Sequence, residues 1–228
     1  MIRVLAFVAI LASAFSVDIP FYFLEEFLGY TGRIVGSDHY VISQVNQTIN
    51  VIPDHKPGFG NGDVATFVLH NTLMNFIPTQ LFIAFPNIKS IRFDGHGTKP
   101  EFALTTNAFV NCLRLQSLYV SSSELKSIPS GFAQYCINMR FLSLGSNKIR
   151  FISKNAFLGL SKLEELSLRE NLISSFTPQV FLNLPNLRKI NVARNFLTAI
   201  PTELASLPYL YYYEFSYNKL KSLPEIQF

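Results

Sequence analysis

The sequence predicts a solenoid, in which short repeats stack in a line and each contributes one strand. Three observations carry this. Apolar residues recur in one frame with a period near 24 residues. Within the frame they fall at alternate positions, the spacing of a strand with a single buried face. A polar residue, most often Asn, returns once per period at the same place, as repeat architectures require. The chain has the material for such a core. Of its 228 residues 49% are apolar and 14% aromatic, with no Gly periodicity. That excludes a disordered or collagen-like chain.

In chain order, residues 1–16 read as a secretory signal peptide. Arg3 supplies a positive start, residues 4–12 are apolar, and Ala14 and Ser16 take the −3 and −1 positions of a cleavage site. The competing reading, a buried N-terminal strand or helix, lacks an amphipathic period. Loss of Arg3 with this segment lowers the net charge from +4 to +3. No other stretch is long and apolar enough to span a bilayer. The expected product is secreted and extracellular, and in that compartment Asn46, in Asn46-Gln47-Thr48, is an N-glycosylation acceptor.

Residues 17–63 are expected to cap the stack, since a solenoid's first repeat needs its core covered. Residues 19–30 are rich in aromatics, and 41–53 read as one or two strands that only half fit the frame. The Gly-rich segment 57–63 is a loop by its turn residues. No Lys-Ser/Thr follows it, so it is not a phosphate cradle.

The repeats occupy 64–228. Leu163-x-x-Leu166-x-Leu168-x-x-Asn171-x-Ile173 sets the frame, and it recurs from Val64, Ile88, Leu115, Met139, Leu187 and Leu210, in steps of 24, 27, 24, 24, 24 and 23. Asn147, Asn171, Asn195 and Asn218 carry a full amide at the polar position. Thr72, His96 and Ser123 replace it earlier, which predicts looser turns there. On the returning side Phe82, Phe109, Phe132, Phe157, Phe181 and Leu204 form one core column. Phe85, Cys112, Cys136, Leu160, Leu184 and Leu207 form another. The many Phe residues are therefore read as packing.

This frame resembles the leucine-rich repeat family in the 24-residue form common in extracellular proteins, from Val64 to about Pro224. The resemblance implies an α/β-type solenoid: a horseshoe with a parallel β-sheet on the concave face and a mostly irregular or short helical convex side. It implies a binding scaffold and no enzyme, with an extracellular protein or glycan as partner. Family members often carry Cys-rich caps, and this chain does not.

Cys112 and Cys136 share a column in adjacent repeats. Strand spacing of about 4.8 Å lies within the Cα separations a disulfide spans. They are either bridged or two small buried thiols.

Strand residues pointing away from the core would line the inner curve. Tyr119, Ser143, Ser167, Asn191 and Glu214 form one such row, with Arg169, Glu170 and Arg194 on neighbouring rows. These are the candidate ligand contacts. His70, Asp94 and Ser121 share a row, but Asp94 lies between the other two. A hydrolytic triad needs the His between acid and Ser. No metal-ligand spacing or cofactor motif stands elsewhere. The basic excess, 19 Lys and Arg against 15 Asp and Glu, includes no run of like charge, which argues against a nucleic-acid partner.

Tyr211, Tyr212 and Tyr217 fall in the last repeat. They serve either as an oligomer contact or as a shield over the edge of the core. The leading expectation is a secreted, non-enzymatic protein that binds through its concave face. The alternative is a matrix component or receptor-ectodomain fragment that associates through an open C-terminal end.

Overall fold

The computed structural model describes residues 39–43, 65–70, 77, 81–94, 102–105 and 109–221. The signal-like segment 1–16, Asn46, Thr72 and His96 lie outside the described residues, as does most of 17–63.

One parallel sheet runs through the molecule. Its strands are β1 (His39–Ser43), β2 (Thr66–His70), β3 (Ser90–Asp94), β4 (Ser117–Ser121), β6 (Phe141–Ser143), β8 (Glu165–Ser167), β9 (Lys189–Asn191) and β10 (Tyr212–Glu214), in that spatial order. Spatial order follows chain order, as a solenoid with one strand per rung requires. β1 lies inside the segment assigned to the cap and extends the sheet by one rung, with Tyr40 opposite Phe67. On the returning side β5 (Ser127–Ile128) pairs with β7 (Phe151–Ile152). The only other regular elements among the described residues are α1 (Leu81–Ala84) and a 3-10 turn (Thr202–Ser206).

The register follows the repeat frame. Leu118, Leu142, Leu166 and Ile190 are successive partners, all facing the core. The 27-residue step leaves this intact, since Ile91 still faces Leu118 and Phe93 faces Val120. The return that carries the extra residues buries Phe102 and Leu104, and the Phe93 and Phe102 rings lie 4.4 Å apart.

Each return closes with a tight turn: Leu115, Met139, Leu163 and Leu187 N–H donate to the carbonyls of Cys112, Cys136, Leu160 and Leu184. The preceding turn shows the form of a slip in the Phe column, where Phe132 precedes Cys136 by four residues and not three. Leu160 N–H donates to Phe157 O and Leu184 N–H to Phe181 O, but Cys136 N–H donates to Ala133 O. In this rung Phe132 and Ala133 have exchanged places relative to Ala156-Phe157. Both are fully buried, so the exchange conserves core volume. Phe132 meets Phe109 edge-on at 5.7 Å between ring centres.

Cys112 and Cys136 are joined by a disulfide, with their Cα atoms 5.0 Å apart. It ties two neighbouring rungs in the column that Leu160 and Leu184 continue.

The Asn residues form a ladder along the core. Asn171 Nδ2 donates to Leu168 O in its own rung (3.0 Å) and to Leu144 O in the rung before (2.9 Å). Its Oδ1 accepts the Ile149 N–H at 3.0 Å. Asn195 repeats this with Val192 O, Leu168 O and Ile173 N–H. Asn147 accepts two N–H groups, from Ser123 and Leu125. At the earlier turn the Ser123 hydroxyl donates only to Ser121 O, within its own rung. Ser123 therefore does less than an Asn, as its shorter side chain dictates.

Among the described residues, the one before each polar position has a left-handed backbone. φ is +50° at Ser122, +53° at Ser146, +56° at Glu170, +57° at Arg194 and +54° at Tyr217. This conformation is uncommon outside Gly and Asn. Recurring at five rungs, it belongs to the turn that directs the next side chain inward.

Candidate functional site

The concave face is built from the outward positions of the strands. The register puts Tyr119, Ser143, Ser167, Asn191 and Glu214 in one row. A second row, Phe141, Glu165, Lys189 and Tyr212, lies two residues earlier on the same strands. Between the rows lies a shallow hollow of about 280 Å³. Tyr119 and Phe141 stand at one end, Lys189 and Tyr212 at the other, and Ser143 and Ser167 are among the residues between them. Sequence reasoning passed over Phe141. Its parity in the frame, two before Ser143, was the signal that would have found it.

Arg169, Glu170 and Arg194 meet at the rim. Glu170 accepts hydrogen bonds from the Ser146 hydroxyl at 2.8 Å and from Arg169 Nη2 at 3.1 Å, and Arg194 Nε lies 3.5 Å away. The Ser146 bond foremost, then the Arg169 guanidinium, holds its carboxyl below the usual range. Arg194 in turn lies over the Tyr217 ring, 4.8 Å from its centre. Five residues at the rim are thus linked into one assembly.

Charges on the strand rows are also paired. Lys189 Nζ lies 2.8 Å from Glu165, and this bond raises the ammonium's pKa. Glu214 accepts the Ser216 N–H at 3.0 Å and the Tyr212 hydroxyl at 3.5 Å. Bonding by Ser216, ahead of the smaller Tyr212 contribution, lowers its carboxyl's pKa. At the other end Arg92 lies 5.7 Å from the Tyr119 ring centre.

Ala193 continues the row of Arg169 on the inner curve, yet is only 3% exposed. Tyr213 keeps 40% exposure although it is the register partner of buried Ile190. Tyr211 stands just before β10, where its N–H donates to Arg188 O and its side chain interacts with Lys189. Tyr212 and Tyr217 do face the concave side and its rim. The register also sets Asp94 between His70 and Ser121. Among the described residues no cluster of three His, Cys, Asp or Glu could hold a metal, and no helix is long and apolar enough to cross a membrane.

A stack of one-strand rungs with an Asn ladder and a paired-charge inner face defines a leucine-rich repeat solenoid. The Leucine rich repeat family matches residues 113–173 and 137–197. The chain is a leucine-rich repeat protein. Among solved structures it is similar to TLR13 in a TLR13–ssRNA13 complex, at 22% identity and a TM-score of 0.58 over 71% of this chain and 26% of that one. It is similar to the Toll–Spatzle complex of Drosophila, at 19% identity and 0.56 over 90% of this chain and 30% of that one. A leucine-rich repeat protein of Leptospira interrogans gives 23% and 0.57 over 72% of this chain and 40% of that one. At these identities the likeness is one of fold, and the chain spans between a quarter and two fifths of those chains. No curated protein matches it.

Proposed function

We propose that this chain is a secreted, non-enzymatic binding module that holds a protein partner across its concave face. In this reading residues 1–16 are a signal peptide, 17–63 a cap and 64–228 the repeat domain, and Asn46 carries a glycan. The observation that carries it is the linked rim of Ser146, Arg169, Glu170, Arg194 and Tyr217 beside the hollow between Tyr119 and Tyr212. Side chains already held by their neighbours lose little freedom on binding, and Tyr and Arg are the residue types that anchor interfaces. The similar Toll structure is a complex with Spatzle, which is in keeping with a protein ligand here.

The test begins with the chain secreted into its native medium, sized by light scattering, and with any co-eluting protein identified. Arg169→Glu with Arg194→Glu should weaken that complex about thirtyfold or more, as loss of interface hot spots does. Lys154→Glu, on the returning side, should not. A complex indifferent to the rim pair would refute the face assignment.

A second reading, self-association, rests on the exposed Tyr211, Tyr212 and Tyr217 of one rung. A mass that stays monomeric at every concentration removes it.

A further inference from the structure

Among the described residues, charge also gathers away from the inner curve. A groove of about 620 Å³ runs along the edge of the sheet where the strands begin. It collects Lys89, Arg114, Arg140, Lys162 and Arg188, with Glu164 its sole acid. The whole chain has 19 basic and 15 acidic residues, so 14 of each sign remain elsewhere. The net charge of this groove thus equals the formal net charge of the whole chain.

The arrangement is regular. Each of five consecutive rungs, those of β3, β4, β6, β8 and β9, supplies one cation. Lys89, Arg140 and Arg188 come from one column of the repeat, and Arg114 and Lys162 from the column two residues earlier. At about 4.8 Å per rung, the line of charge extends roughly 19 Å. Only Arg140 has a carboxylate partner in the groove, its Nε donating to Glu164 Oε1 at 2.8 Å. Arg114 and Lys162 are held by neutral amides, Asn87 Oδ1 at 2.5 Å and Asn138 Oδ1 at 2.7 Å, which orient them and leave their charge uncompensated. Lys89 and Arg188 make no ion pair among the described residues. Asn138 and Asn186 are themselves anchored to the preceding rung, at Leu113 O and Ser161 O.

We propose that this edge groove binds a linear sulfated polysaccharide, lying across the rungs, at a site separate from the concave face. A row of evenly spaced cations over five rungs matches an extended polyanion and exceeds what a single phosphate or sulfate ion would need. Side-chain amides among the cations suit the hydroxyl and sulfate oxygens of sugars. A single-stranded nucleic acid is the competing polyanion, but proteins that hold one stack its bases on aromatic side chains. Among the described residues no aromatic side chain lines this groove.

The experiment uses the full secreted chain and a size-defined heparan sulfate oligosaccharide as probe, titrated at several salt concentrations. Binding should weaken with salt, as counterion release dictates. Lys89→Ala with Arg188→Ala should weaken it about tenfold, within the range of two exposed ion pairs, and flatten the salt slope by roughly two ions. Glu164→Gln should strengthen binding. Arg150→Ala with Lys154→Ala removes the same charge from the returning side and should leave the affinity within about twofold of wild type. Absence of binding by the wild-type chain, or equal losses in both double variants, would overturn the proposal. So would an oligoribonucleotide of equal charge that binds as tightly and with the same dependence on Lys89 and Arg188.

Discussion

Asn171 has one carbonyl oxygen and one amide nitrogen, and the fold uses both. The side chain is 3% exposed, so water cannot replace what it binds: the Ile149 N–H and the carbonyls of Leu144 and Leu168. Asn171→Ala strands these groups inside the protein. It should lower stability by about 1–3 kcal/mol, read as a lower denaturant midpoint with an unchanged slope. An unmoved midpoint would show that the turn re-forms its bonds without the amide. This role was legible in the sequence, because a buried turn with unpaired backbone groups calls for a side chain able to donate and accept. The left-handed residue just before it was not. Ser146, Glu170 and Arg194 share no side-chain property, so nothing in their identities marks the backbone they adopt.

At the scale of one rung, spacing was legible and shape was not. The columns of Leu and Phe follow from periodicity, but Phe132-Ala133 and Ala156-Phe157 bury the same two side chains at nearly the same place. Spacing marks the slip, since Phe132 precedes Cys136 by four residues and Phe157 precedes Leu160 by three, and the turn hydrogen bonds give its form. The neighbouring rungs meet closely here. A Cβ on Gly159 would stand 2.1 Å from Gln134 O, at a φ of +85°. Gly159→Ala should therefore cost about 2–5 kcal/mol, a left-handed penalty plus a backbone clash. Gly131→Ala is the useful contrast. Its φ is +60°, but its nearest neighbour is the flexible end of Gln134 at 3.1 Å, so the cost should be about 1–2 kcal/mol. Thermal or urea unfolding of the two variants side by side checks the order. Equal losses would mean that the rungs shift apart to make room.

Over the whole molecule, stability is a sum of rungs and their contacts, because each rung touches only its neighbours. The disulfide adds a covalent term between β4 and β6, closing a loop with a sequence separation of 24. On loop-closure entropy alone it contributes about 3 kcal/mol. Cys112→Ala with Cys136→Ala should lose that amount, and reduction of the wild-type chain should lose about the same. Identical unfolding midpoints with and without reductant would remove the bond from the account. The sequence placed the two cysteines in one column, and that column is the geometry the bond uses. The basic groove shows the opposite case. Its cations alternate between two columns, with Gln116 and Glu164 interrupting one and Asn138 and Asn186 the other. Neither column reads as basic by itself, and the small net charge spread over the whole length conceals the concentration.

The Asn ladder also has a direction. Asn147, Asn171, Asn195 and Asn218 each reach back to the rung before their own, and among the described residues none of these bonds runs forward to the rung after. A chain made from its N-terminus therefore cannot finish any of these turns when the turn itself is synthesised. The amide that completes it arrives one repeat later, so assembly runs in the same sense as synthesis and always one step behind it.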